Sequence, residues 1–93
     1  MLLKEDDILK ELTSLKGWSL KSDFISKTFV FENFKECISK MMQISFEAEK
    51  LNHHPNWSNV YNKLEINLST HDAGGVTKLD IDLAHKIEDL IKN

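Results

Sequence analysis

The stretch 57–69 limits the fold more than any other part of the chain. Val60, Leu64, Ile66 and Leu68 share one parity, and Tyr61, Lys63, Glu65, Asn67 and Ser69 share the other. Successive side chains of a strand point to opposite faces, so this pattern describes a strand with one apolar and one wet face. Such a strand belongs to an antiparallel sheet covered on a single side. A break near Asn62-Lys63 would divide it into a hairpin, although turn residues are scarce there. Helical patterns flank it. Over residues 34–51, Phe34, Ile38, Met41, Met42, Ser45 and Ala48 form one broad stripe, which Ile44 and Phe46 widen. Asn33 is the expected cap, with Glu36 completing a loose capping box. Over residues 78–91, Leu79, Leu83, Ile87 and Leu90 recur at helical spacing, with Thr77 as cap and Asp80 in capping-box position.

The first third supplies the remaining elements. Ile8, Leu12 and Leu15 predict a helix over 5–15, with Glu5, Asp6 and Asp7 at its positive end and Gly17 as its stop. Residues 18–20 and 25–32 read as short strands joined by a Ser22-Asp23 turn, with Lys27 interrupting the apolar set of Ile25, Phe29 and Phe31. The expected fold class is therefore α+β: an antiparallel four-stranded sheet with helices packed on one face, in the order α-β-β-α-β-β-α. No linker or repeat divides the chain, and 93 residues can bury one core, so residues 1–93 are expected to form a single domain.

Composition removes several function classes. Twelve basic residues against fifteen acidic ones leave a net charge of −3, without the basic excess of a general nucleic-acid binder. A single cysteine, Cys37, excludes an internal disulfide framework and a Cys-rich zinc finger. It lies on the interior-leaning side of its helix and is read as a small hydrophobe. The acidic start lacks a signal-peptide pattern, and strictly apolar runs reach only three residues, as in Phe29-Val30-Phe31. The expected location is cytoplasmic, with no membrane partner. No Gly-rich phosphate loop, nucleophile elbow or His-Glu-x-x-His occurs.

Candidate chemistry centres on histidine. His53 and His54 precede Pro55, which favours extended backbone for His54 just beyond a helix. An imidazole can give or take a proton near neutral pH, and loops held by rigid elements often carry function. Polar surface is the plain alternative. A shared metal is disfavoured, because neighbouring side chains of an extended chain point apart. His71 follows the 57–69 stretch and enters the turn Asp72-Ala73-Gly74-Gly75, where glycine permits close approach of a flat ligand. Asp80 serves either as a helix-start acid or as a carboxylate orienting an imidazole, and both roles are compatible. Glu49 reads as a solvated helix residue unless its face turns towards His53. Trp18 and Trp57 read as core or pocket wall, and His85 as helix surface.

The run Glu49-Lys50-Leu51-Asn52-His53-His54-Pro55-Asn56-Trp57-Ser58-Asn59-Val60-Tyr61-Asn62-Lys63 resembles the pterin-4a-carbinolamine dehydratase family. The likeness continues through Leu68-Ser69-Thr70-His71-Asp72-Ala73-Gly74-Gly75-Val76-Thr77 to Asp80 and Leu83-Ala84, with Gly17-Trp18 and Phe29-x-Phe31-x-x-Phe34 upstream. The sequence departs from the family at Cys37, where a small residue such as alanine is common, and over Ile44-Ser45-Phe46.

The resemblance implies dehydration of 4a-hydroxytetrahydropterin to quinonoid dihydropterin, as in tetrahydrobiopterin recycling, with no metal and no organic cofactor. It implies His53, His54, His71 and Asp80 as catalytic residues. Substrate contacts would fall on Glu49, Asn52, His53, His54, Ser69, Thr70, His71 and Asp72. Asp80 is expected to hold His71 in a useful tautomer. His53 and His71 would flank the C4a hydroxyl as acids, while His54 handles the ring N–H proton. Relatives form homodimers or homotetramers through sheet edges and the long helix. Some act instead as non-catalytic dimerisation or assembly cofactors, a role for which Met41, Met42, Ile44 and Phe46 would offer the surface.

Overall fold

The computed structural model describes residues 1–92; Asn93, the last residue of the expected domain, lies outside the described residues. Helix α1 (Glu5–Leu12) leads into strands β1 (Ser19–Lys21) and β2 (Phe24–Val30). Helix α2 (Phe34–Leu51) follows, then β3 (Asn56–Val60), β4 (Lys63–Leu68) and helix α3 (Lys78–Lys92). A short 3-10 turn at His71–Ala73 precedes α3. The order is the α-β-β-α-β-β-α predicted from the pattern. The sheet runs β1-β2-β4-β3, with each neighbouring pair antiparallel.

Sheet register sorts the side chains. Ile25, Lys27 and Phe29 pair with Leu68, Ile66 and Leu64, and these positions share the face that carries the core. Ser26, Thr28 and Val30 pair with Asn67, Glu65 and Lys63 on the other face. Lys27 breaks the apolar set without leaving a charge stranded. Its Nζ donates to Glu88 Oε2 at 2.6 Å and to Lys16 O at 2.8 Å, and lies 4.6 Å from the Phe29 ring centroid. Trp18 Nε1 donates to the same Glu88 oxygen at 2.8 Å, so this carboxylate ties α3 to β2 and to the turn before β1. Farther along α3, Lys40 of α2 donates to Leu90 O at 2.8 Å.

Three sequence readings need correction. The first helix ends at Leu12 rather than 15, because the Thr13 and Ser14 hydroxyls donate to the carbonyls of Lys10 and Glu11 at 2.7 and 3.0 Å. Side-chain hydroxyls of this kind compete with the next helical turn.

The second concerns Val60. The chain reverses at Tyr61-Asn62, and a two-residue reversal swaps parity between strands, so Val60 pairs with Lys63 and Trp57 with Ile66. Val60 is consequently exposed, while Leu64, Ile66 and Leu68 are buried. Tyr61 takes a positive φ of 53°, costly for a side chain of this size. Asn59 offsets that cost by donating to Tyr61 O and Lys63 O at 3.0 and 2.9 Å, and Asn62 donates to Phe31 O at 2.9 Å.

The third correction is the phase of α2. Cys37, Ile44 and Ala48 are fully enclosed, with Met41 and Leu51 packed beside them. Phe34, Ile38, Met42 and Phe46 lie outside, at 50, 39, 58 and 62 % exposure. The outer apolar stripe therefore holds Met42 and Phe46 but neither Ile44 nor Met41. Burial pushes the Cys37 thiol above its ordinary range, as expected of a small core residue.

Truncation distinguishes the buried from the exposed positions. Ile44→Ala should cost about 2–5 kcal/mol, whereas Val60→Thr should stay within about 0.5 kcal/mol. Urea unfolding of each variant checks both, and a large loss at Val60 would contradict the hairpin register.

Candidate active site

The end of α2 delivers the histidine pair. Asn52 adopts φ 50° and ψ 43°, the left-handed conformation that asparagine tolerates better than most residues. Its N–H donates to Glu49 O at 3.1 Å, and the His53 N–H reaches back to Ala48 O at 3.0 Å. These are the two backbone bonds of a Schellman motif, so the helix end fixes the His53 backbone before Pro55 turns the chain into β3.

His71 is delivered by a closed loop. Thr70 stands at its neck: its N–H donates to Gly75 O at 2.8 Å, and its carbonyl accepts from Ala73 and Gly74 at 3.0 Å each. Gly74 closes the loop with φ +79°, and a side chain there would be strained whatever the space around it. The N-terminal segment braces the far side, where the Leu3 N–H donates to Val76 O at 2.9 Å.

A buried carboxylate joins the two segments. Asp80 is wholly inaccessible. Its Oδ1 lies 2.5 Å from His53 Nε2, and its Oδ2 accepts from Thr70 Oγ1 and the Thr77 N–H at 2.8 Å each. The Thr77 contact is the capping box expected from sequence. The expectation that Asp80 orients His71 is wrong: its imidazole partner is His53, and its other oxygen is occupied by two donors. Helix α3 starts at Lys78, which points the carboxylate of its third residue back towards the end of α2.

A second imidazole–carboxylate pair lies in the open. His54 Nε2 is 2.5 Å from Glu49 Oε2, with side chains 58 and 73 % exposed. Two pairs of equal length thus occupy opposite environments, because neighbouring residues of an extended chain point to opposite sides.

Asn52, His53, His54, Ser69, Thr70, His71, Asp72 and Leu79 line one cleft of about 300 Å³. That volume sits at the small end of ligand sites. Every expected contact residue except Glu49 lines it, and Glu49 reaches it only through His54. Sequence reading missed Leu79, assigned to the α3 core stripe but half-exposed at the cleft wall. It also missed the amide of Thr77, since backbone donors carry no sequence signal. Trp18, Trp57 and His85 lie away from the cleft. Among the described residues, no group of three or more His, Cys, Asp or Glu is placed to hold a metal ion.

Comparison with known proteins fits this geometry. The family model for pterin 4 alpha carbinolamine dehydratase matches residues 1–90. This chain belongs to that family. A provisionally named pterin-4-alpha-carbinolamine dehydratase of Christiangramia forsetii is 50 % identical over 91 residues, covering 98 % of this chain and 94 % of the relative. One of the same name from Sulfurisphaera tokodaii is 47 % identical over 89 residues, covering 96 % of each. The crystal structure of a transcriptional coactivator/pterin dehydratase from Brucella melitensis superposes with a TM-score of 0.94 at 37 % identity, covering 97 % of this chain and 98 % of that one.

Burial sets different costs for the two pairs of this family member. Asp80→Ala strands His53, Thr70 and a buried N–H together, and should cost about 3–5 kcal/mol. Glu49→Ala should leave the unfolding midpoint little changed, because water replaces the lost partner. Equal losses in urea titrations would show that the difference in burial has no energetic consequence.

Proposed function

We propose that the chain dehydrates a 4a-hydroxytetrahydropterin to quinonoid dihydropterin and water. The observation that carries this reading is the cleft itself, lined by three imidazoles from two separate segments of the chain, one of them backed by a buried carboxylate. The names of its relatives support the same substrate class.

The reaction breaks the C4a–O bond. The leaving oxygen takes a proton and departs as water, and the adjacent ring nitrogen loses its proton as the C=N bond forms. No electrons are exchanged with a cofactor. An acid near the hydroxyl and a base near the N–H suffice, each contributing about 10²–10⁴-fold. His53 and His71 serve the hydroxyl in this reading. Asp80 accepts a hydrogen bond from the His53 Nε2–H, which leaves Nδ1 as the ring nitrogen that meets the ligand. His54 serves the N–H, and Glu49 steadies it from the solvent side. Asn52, Ser69 and Asp72 supply polar edges for a flat heterocycle, and Leu79 supplies an apolar one. Tetrahydrobiopterin recycling in the cytoplasm by one domain spanning residues 1–93 is the setting this chemistry suits.

We further infer that the chain works as a homodimer or homotetramer. Phe34, Ile38, Met42 and Phe46 recur every four residues along α2 and remain exposed. A continuous apolar row of this kind on a protein in water calls for a cover. The same face supports the second reading, an assembly cofactor, which the coactivator half of the Brucella melitensis protein's description also favours. No described helix is long and apolar enough to cross a membrane.

Two measurements test these readings. With the carbinolamine generated in situ, the protein should accelerate quinonoid formation at neutral pH, and single alanine variants of His53, His54 and His71 should lose turnover of order 10²-fold or more while staying folded. Full rate in a His53→Ala/His71→Ala double variant refutes the assignments, and no acceleration by the parent protein moves the function to the cofactor role. Separately, Met42→Glu/Phe46→Glu should lower the mass seen in sedimentation without loss of helical signal. An unchanged mass would place the interface elsewhere.

A further inference from the structure

We propose that Thr70 is a positioning residue whose hydroxyl donates to Asp80 and thereby fixes which nitrogen of His53 carries a proton. The argument is one of proton counting. Thr70 Oγ1 lies 2.6 Å from Thr77 Oγ1 and 2.8 Å from Asp80 Oδ2. Thr77 Oγ1 in turn accepts from the Leu79 N–H at 3.3 Å. A hydroxyl has one proton and two acceptor sites. Asp80 already accepts the Thr77 N–H and faces His53 Nε2, so as a carboxylate it can only accept, and the single Thr70 proton goes to its Oδ2. Thr70 then has only acceptor sites left for its contact with Thr77, so Thr77 donates to Thr70 while accepting from the Leu79 N–H.

Two consequences follow. Asp80 Oδ2 receives an O–H and an N–H, so Asp80 stays an acceptor and Oδ1 requires the proton on His53 Nε2. The Thr70 hydroxyl has also committed its single proton, so it cannot donate to a ligand in the cleft it lines. The substrate contact expected at Thr70 is then made without a hydroxyl proton. Thr70 also forms the neck of the loop bearing His71. One residue therefore couples the placement of both histidines.

The consequence for rate rests on the dehydratase reading; the consequence for His53 does not. Thr70→Val keeps the shape and removes the hydroxyl, and Thr70→Ser restores it. In the unaltered protein the His53 Nε2 proton should be observed by NMR as a slowly exchanging, strongly downfield signal. In Thr70→Val it should exchange at least about tenfold faster or disappear, and in Thr70→Ser it should return. Turnover should fall roughly tenfold in Thr70→Val with KM unchanged, and Thr70→Ser should recover most of the loss. A folded Thr70→Val with an unaltered His53 signal overturns the proposal. So does a raised KM at constant kcat, which would make the hydroxyl a ligand contact. Should Thr70→Val fail to fold, the unaltered chain decides: its Thr70 and Thr77 hydroxyl protons should be protected from exchange, and a freely exchanging Thr70 hydroxyl refutes the relay. A protein with the expected NMR signature and no dehydratase activity would sink the functional reading and leave the relay standing.

Discussion

A carboxylate sealed from water governs the arrangement of this molecule. Burying an isolated anion is prohibitively costly, so Asp80 is tolerable only with its donors in place. Those donors come from three segments: His53 beyond α2, Thr70 at the mouth of the loop after β4, and Thr77 at the start of α3. Satisfying one charge therefore sets the relative positions of the elements that build the cleft. The capping box and the candidate site share the same side chain, which lets a stability requirement enforce a geometric one.

Helix α3 is held at more than its first turn. Near its far end Glu88 accepts from Trp18 and Lys27, and Leu90 O accepts from Lys40. Between these polar anchors, Ile81, Leu83, Ala84 and Ile87 are enclosed against the core. The helix cannot slide along the sheet without breaking one anchor or the other. Asp80 is thus held in a fixed position as well as kept buried, the condition under which a small hydrogen-bond change is felt at His53.

Sequence reading succeeded where a single local rule decides. The caps at Asn33 and Thr77 obey such rules, and so do the alternation over 64–68 and the arrest of α2 before Pro55. It failed where two local patterns compete or where the third dimension chooses. Helix α2 carries two apolar stripes about one residue apart, and only the packing partner selects the one through Cys37, Ile44 and Ala48. The reversal at Tyr61-Asn62 lacks glycine, and its support comes from Asn59 and Asn62 side chains whose reach is not a composition signal. The site followed the same logic. Which histidines share a cleft was readable from the motif, because the residue types are diagnostic together. Which one takes Asp80 was not, since it depends on how α3 is placed against the end of α2.

The two imidazole–carboxylate pairs make the final point about how one short motif yields two kinds of group. Both contacts measure 2.5 Å, so distance does not distinguish them. Around Asp80 no water competes, and the pair's attraction is weakly screened. Its imidazole is locked, with one nitrogen committed and the other held in place. Around Glu49 the solvent competes for both partners, and the attraction is worth little. The proposed dehydration would use a fixed group to meet an oxygen at a defined point and an exchangeable one to return protons to bulk water. Adjacent histidines on opposite sides of an extended chain differ in just this way, through the local geometry that Asn52 and Pro55 impose on the end of a helix.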